Sequence, residues 1–277
     1  MVVDAPSAAG RKRQQIAYLD RLLPHVPLHR ALARSVECLL VSDVALPAPV
    51  LDLGCGDGTF AHALSDAPLA VGIDLDRGIL RWASRHDAHR SLVASSGVSL
   101  PFRSEVFASV VCNSTLEHIP EQQAVLQEMS RVLAPLGTFI LTIPSEHFLP
   151  YHLGAALGRF LRVPALARAY ERWISYVAEV YHCDPPHIWE ERLAQAGFLV
   201  RSWRYYFPEA STRAIDAAQY LSIPSFLTRW LLGRWIVWPG KGRYLPLATW
   251  LARLAKEGEG DGGAFLFFHC QKRGRVA

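Results

Sequence analysis

The stretch Val50-Leu51-Asp52-Leu53-Gly54-Cys55-Gly56-Asp57-Gly58-Thr59-Phe60 decides the fold. It predicts a short buried strand, a glycine-rich turn and the start of a helix. Glycines at alternate positions 54, 56 and 58 strip the turn of side chains, so its backbone can approach a ligand closely. The following helix presents free N–H groups to the same place. Asp52 and Asp57 make this mouth acidic, which suits a cationic or amino-bearing ligand better than a bare pyrophosphate. The next apolar run, Leu69-Ala70-Val71-Gly72-Ile73-Asp74, ends in a carboxylate 20 residues after Gly54. In open α/β folds an acidic strand end at that distance meets ribose hydroxyls.

Asp-Leu-Gly-Cys-Gly-Asp-Gly (52–58) followed by Gly-Ile-Asp (72–74) resembles the cofactor site of class I S-adenosylmethionine-dependent methyltransferases, with a type 11-like methyltransferase domain. Four further stretches fall in that family's order: Leu100-Pro-Phe102, Asn113-Ser-Thr-Leu-Glu-His118, Glu128-Met-Ser-Arg-Val-Leu133 and Ala196-Gly-Phe198. The resemblance covers roughly residues 25 to 207. It implies S-adenosyl-L-methionine as cofactor, held by Asp52, Gly54, Cys55, Gly56, Gly58, Asp74, Leu75, Ser96, Gly97 and Asn113. A nicotinamide-binding domain is the nearest rival, but its fingerprint puts a third glycine five residues after the first, where this chain has Thr59. A tight turn with no ligand is the plainest alternative, and it requires no carboxylate at the end of the next strand.

Two positions depart from the family pattern. An acidic residue that accepts from the adenine amino group is often found after strand three; counting back from Leu100-Pro-Phe102, that place falls at Ser96. A hydroxyl accepts more weakly than a carboxylate, so adenine recognition leans on backbone and apolar contacts, with Val98 a candidate. Phe107-Ala108 stands where Phe-Asp is usual, a change expected to affect local packing alone.

The 277 residues are 51% hydrophobic with mean hydropathy +0.12, yet no apolar run reaches the length of a membrane span. Met-Val-Val-Asp-Ala-Pro at the start has no apolar signal core, which points to a cytoplasmic protein. Five cysteines (38, 55, 112, 183, 270) are scattered without metal-ligand spacing, as expected of reduced thiols. The net charge of +4 hides an asymmetry: residues 1–150 carry 12 basic against 15 acidic residues, and 151–277 carry 17 against 10. The basic half also holds seven of the eight tryptophans. Either the two halves face different partners, or the second presents a solvated basic face with none.

Helical spacing runs from Gln15 to about Val44 and is broken into two helices by Pro24 and Pro27; residues 1–14 read as frayed. Strands and helices then alternate, the signature of a parallel sheet covered on both faces. Strands are predicted at 50–53, 69–74, 92–94, 107–112, 138–143, 199–206 and 265–270. The expected architecture is a Rossmann-like, doubly wound, mostly parallel sheet. Its last strand is antiparallel, and helical insertions or lids lie before and after strand six. The domains read as an N-terminal helical cap (1–45), the methyltransferase core (46–145 and 196–277), an acceptor insertion (146–195) and a further helical lid (208–255).

Asn113 leaves strand four at the carboxyl edge of the sheet, where ligands bind in such folds. Glu117 and His118 form either an acid/base pair or a loop anchor. His182, beside Tyr181 in the insertion, is the leading candidate base, with His118 second. In the resembling family the N-terminal helices cover one side of the cofactor, so His25 or His29 reads either as a ligand contact or, the plainer reading, as an ordinary surface histidine. Cys183, His182 and His187 lack the second ligand pair of a zinc site, so no metal is expected. Trp230-Leu-Leu-Gly-Arg-Trp235-Ile-Val-Trp238 reads either as a peripheral membrane contact over 227–240 or as a buried lid. No compact basic run or binding motif suggests nucleic acid. The function expected is O-methylation of a glycan, glycolipid or secondary metabolite, with a small-molecule or lipid-linked glycan as acceptor. The alternatives are a non-catalytic scaffold or sensor, and a nicotinamide-dependent oxidoreductase.

Overall fold

The computed structural model describes residues 7–222, 228, 231, 244–258, 260 and 262–274. Helices α1 (Ala8–Leu22) and α2 (Leu28–Ser42) come first and separate at the two prolines. Residues 8–14, expected to fray, are instead the first half of α1. Ser7 Oγ accepts from Gly10 N to cap the helix. Arg11 ties the first turn to Asp43 at 2.7 Å and to Glu257, long-range contacts that local polarity does not reveal.

The core follows as β1 (Val50–Leu53), α3 (Thr59–Leu64), β2 (Leu69–Asp74), α4 (Arg77–Ala83), β3 (His89–Ala94), β4 (Phe107–Asn113), α5 (Gln122–Val132) and β5 (Leu133–Pro144). An insertion of α6 (Phe148–Tyr151), α7 (Leu153–Phe160), α8 (Pro164–Val177) and α9 (Pro186–Gln195) leads to β6 (Phe198–Tyr206). Then come α10 (Glu209–Leu221), α11 (Leu245–Leu251) and β7 (Phe265–Lys272). Trp230, Trp235, Trp238 and most of 227–240 lie outside the described residues.

The seven strands form one sheet in the order β3-β2-β1-β4-β5-β7-β6, parallel except for β7, which runs antiparallel between β5 and β6. Central strands are buried on both faces, as parallel strands between helices must be. Every residue of β1 is buried, whereas edge strand β3 keeps none fully buried. Alternation along the strands divides the core. Val111, Ile140 and Phe267 pack with α1, α2, α3 and α11. Their neighbours Val110, Cys112, Phe139, Leu141, Leu266 and Phe268 pack with α5 and α9 around Trp189. Each fully buried Leu or Phe contributes about 1.5–3 kcal/mol, so both layers of helices are held to the sheet. The strand order reverses between β1 and β4, and the loops after these two strands open at that switch point, where ligands bind.

Candidate active site

All three glycines of the turn have positive φ, at +73°, +53° and +77° for Gly54, Gly56 and Gly58. Their neighbours differ. A Cβ on Gly54 would fall 2.2 Å from the Thr115 side chain, and one on Gly58 would lie 3.0 Å from the Ala83 backbone. A Cβ on Gly56 would meet nothing nearer than Ile79 at 4.0 Å. Gly54 and Gly58 therefore let protein pack around the turn, while Gly56 faces open space. Gly54 N and Cys55 N both donate to Ile73 O at 2.8 Å, pinning the turn to β2. The Cys55 side chain is buried, and burial pushes its thiol well above the ordinary value.

Asp74 ends β2, and its two carboxylate oxygens accept from Gly56 N (3.0 Å) and Asp76 N (2.9 Å). It is only partly buried, which leaves outward lone pairs for hydroxyl donors. Leu75 beside it is 75% exposed, and Val98 in the loop after β3 is 37% exposed. Ser96 and Gly97 follow β3; Ser96 Oγ accepts weakly from Val98 N at 3.4 Å. Asp52 lines the floor of the mouth and is also engaged within the sheet. It is 2% exposed and bonded to His89 Nε2 at 2.9 Å, tying β1 to β3.

On the other side of the turn stand Arg30 and Arg34 of α2. Arg30 reaches Asp57 at 3.0 Å, and Asp57 also accepts from Thr59 Oγ1 at 2.6 Å. Burial alone would raise the Asp57 carboxyl, but Arg30 and Thr59 hold it below its ordinary value. Arg34 meets Glu37 Oε2 at 2.5 Å, and Asn113 Nδ2 donates to the same oxygen at 2.8 Å. Asn113 Oδ1 accepts from Thr142 Oγ1 at 2.7 Å. Residues 30, 34 and 37 share one face of α2 at i, i+4 and i+7 spacing, a signal present in the sequence but overlooked for want of a visible partner. The enclosed part of the mouth, lined by these side chains and the glycine turn, measures about 30 Å³, one water's share of space.

After β4 the chain crosses the turn, Thr115 lying against Gly54, and enters a 3-10 turn at Leu116–His118. Glu117 is 3% exposed, with Oε2 lacking a partner among the described residues. Burial lifts its carboxyl to about 8, with Arg34 opposing and Glu37 assisting. The part-buried Arg34 pairs with Glu37, and Glu117, without an ion pair to it, stays largely protonated at neutral pH.

His118 and His182 converge around this turn. Tyr181 N donates to Glu117 O at 2.9 Å, so the His182 loop packs directly on it. His118 Nδ1 lies 3.0 Å from Glu179 O. Only a protonated Nδ1 can donate there, so in the neutral ring Nε2 is the basic nitrogen, and the side chain is 43% exposed. His182 keeps a buried Nε2 with no hydrogen-bond partner among the described residues, while its Nδ1 is 3.9 Å from Asp184. Burial, then Arg192, push His182 below its ordinary value. A groove of about 820 Å³ opens beside this junction, lined by Leu149, Arg168, Glu171, Arg172, Ser175, Tyr176, Val177, Glu179, Val180 and Tyr181. His29 lies apart, against Ser222 Oγ at 3.3 Å, and burial lowers it to about 4.

The donor set fits a nucleoside that carries an amino-acid tail. Asp74 suits ribose hydroxyls, Leu75 and Val98 offer apolar cover for a base, Gly56 clears room, and Arg30 and Arg34 suit a carboxylate.

Residues 51–141 match the methyltransferase domain family. The chain is 29% identical over 134 residues to demethylmenaquinone methyltransferase of Shouchella clausii, covering 45% of this chain and 57% of that protein. It is 26% identical over 147 residues to ubiquinone biosynthesis O-methyltransferase of Haemophilus ducreyi, covering 49% and 62%. The match therefore spans less than two thirds of either relative. Among solved structures, a SAM-dependent methyltransferase of Thermotoga maritima, titled a possible histamine N-methyltransferase, superposes with TM-score 0.57 at 16% identity, over 88% of this chain and 91% of that one. At that identity the likeness is one of fold.

Proposed function

We propose that this chain, whose residues 51–141 match the methyltransferase domain family, is a class I S-adenosylmethionine-dependent methyltransferase that methylates an oxygen on an amphiphilic, lipid-borne acceptor. The observation carrying this reading is the groove of about 820 Å³ between α8 and segment 179–181, which packs on the Leu116–His118 turn, a size typical of small-molecule sites. It combines aliphatic and tyrosine walls with Arg168 and Arg172, and it begins at Glu179, whose carbonyl orients His118. Two relatives are named for acceptors of the quinone class, which supports a lipophilic substrate. Exposed Leu157, Phe160, Leu166 and Trp173 on α7 and α8 give a lipid surface something to meet. Among the described residues no helix is long and apolar enough to cross a membrane.

When bound, S-adenosyl-L-methionine supplies an already activated methyl carbon. The chain's work is then to position two reactants and handle one proton. Asp74 would hold the ribose, Gly56 would leave room for the backbone approach, and Arg30 would exchange Asp57 for the cofactor carboxylate. Gly54, Cys55 and Gly58 would shape the turn; Leu75, Ser96 and Gly97 would border the adenine; Asn113, fixed by Glu37 and Thr142, would wall the methionine end. His118 Nε2 would take the acceptor's hydroxyl proton, with His182 the second candidate. Protonated Glu117 beside them would keep the junction free of a competing negative charge.

The test is incubation with methyl-labelled cofactor and total lipid or aqueous metabolite extracts. Label in the organic phase, in a product that mass spectrometry assigns as a methyl ether, is expected. Label confined to water-soluble products would overturn the lipid-borne acceptor. Binding of S-adenosylhomocysteine without turnover on any extract would favour a scaffold or sensor, and binding of NAD in its place a nicotinamide enzyme.

A further inference from the structure

His25, His62 and His86 come from three separate elements: the link between α1 and α2, helix α3, and the turn after α4. Their ring centroids form a nearly equilateral triangle with sides of 5.3, 4.8 and 5.0 Å. One ring nitrogen from each lies within 4.8 Å of the others, and all three residues are half-buried. We propose that these three histidines form a binding site for a divalent transition-metal ion of the zinc type, one that clamps the N-terminal helices to the glycine-turn side of the sheet.

The geometry supports this in three ways. Zinc–nitrogen bonds of about 2.0–2.1 Å in a tetrahedron put ring centroids about 5 Å apart, and the triangle already has that size. The nitrogens must close from within 4.8 Å to about 3.4 Å, which ring rotation and small shifts provide. Half-burial leaves a fourth position for water, as in three-histidine sites.

The place matters as much as the ligands. His62 sits one turn into the helix that follows Gly58, and His86 follows the α4 segment whose Ala83 packs on Gly58. His25 precedes α2, the helix that sends Arg30 to Asp57. A bound ion would therefore fasten together three pieces that frame the turn while touching none of the cofactor donors. Three ligands separated by 37 and 24 residues form no recognisable metal motif, which is why spacing alone did not reveal them.

The experiment uses the untagged full chain, stripped with chelator and dialysed, then titrated with Co²⁺ and Zn²⁺. One equivalent of Co²⁺ should give visible d–d absorption of a nitrogen-ligated site, and Zn²⁺ should displace it and raise the melting temperature. His25→Asn and His62→Gln should each weaken binding by more than about tenfold, with folding checked by circular dichroism. If His62→Gln misfolds, His86→Asn in the exposed turn replaces it. Absence of the Co²⁺ band in the wild type would overturn the proposal. So would a band of unchanged strength in folded variants, which would assign binding to other histidines.

Discussion

Glu117→Gln isolates the buried carboxyl at the centre of the site. In the folded protein burial lifts this group from 4.5 to about 8, and Oε2 has no partner among the described residues. The folded-state value lies above the unfolded one. The protonated form therefore contributes stability in full below about pH 4.5, and this contribution is lost as the pH rises through about 8. At about 1.4 kcal/mol for each pKa unit, the loss reaches up to about 5 kcal/mol. Glutamine keeps the shape and cannot ionise, so it adds a constant offset and removes the pH dependence. Urea unfolding of both proteins at pH 5, 6, 7, 8 and 9 gives the difference in stability directly. That difference should move in favour of Glu117→Gln between pH 5 and 8 and flatten above. Parallel curves across the range would refute a buried, protonated Glu117.

Three further outcomes follow from the same geometry. Gly58→Ala puts a Cβ 3.0 Å from the Ala83 backbone at φ +77°, so it should lower stability by about 1–3 kcal/mol, measured by urea unfolding. Asp52→Ala should cost a similar amount, about 1–3 kcal/mol, because it strands the buried His89 ring; stability unchanged within error would mean the pair is incidental. His118→Ala should cut turnover by about 10²–10⁴-fold with cofactor affinity retained. A loss confined to His182→Ala would move the proton-accepting role to His182.

The parts of the fold legible in the sequence are those with local causes. Strands β1 and β2 are buried on one or both faces and bounded by glycine or turn residues, so their limits, 50–53 and 69–74, match the reading. Strand β3 starts at His89, three residues earlier than read, because His89-Arg90-Ser91 is polar and pairs only through register with β2. Strand β5 begins at Leu133, although Pro135 and Gly137 argue for a turn, because its register shift accommodates the irregular start. The glycine turn and Asp74 were readable as a site because backbone chemistry there is written in residue type. The Arg34–Glu37–Asn113 network was not, since nothing local to α2 says that Glu37 will be buried against β4. His89 hid its partnership with Asp52 for the same reason. The positions of His118 and His182 were legible, but their convergence depends on the Tyr181–Glu117 backbone contact between segments 64 residues apart.

A cofactor seated on the glycine turn needs the open face of Gly56. Calorimetric titration of S-adenosylhomocysteine into the wild type and Gly56→Ala tests it most directly. The added Cβ meets only Ile79 at 4.0 Å, so the variant should stay folded, with a loss of about 1–2 kcal/mol of stability from the left-handed φ of +53°. It should nonetheless lose about 10- to 100-fold in affinity, the cost of about 1–3 kcal/mol for crowding a fitted contact. Equal affinity in the two proteins, or no binding by the wild type, would contradict a cofactor seated on this turn.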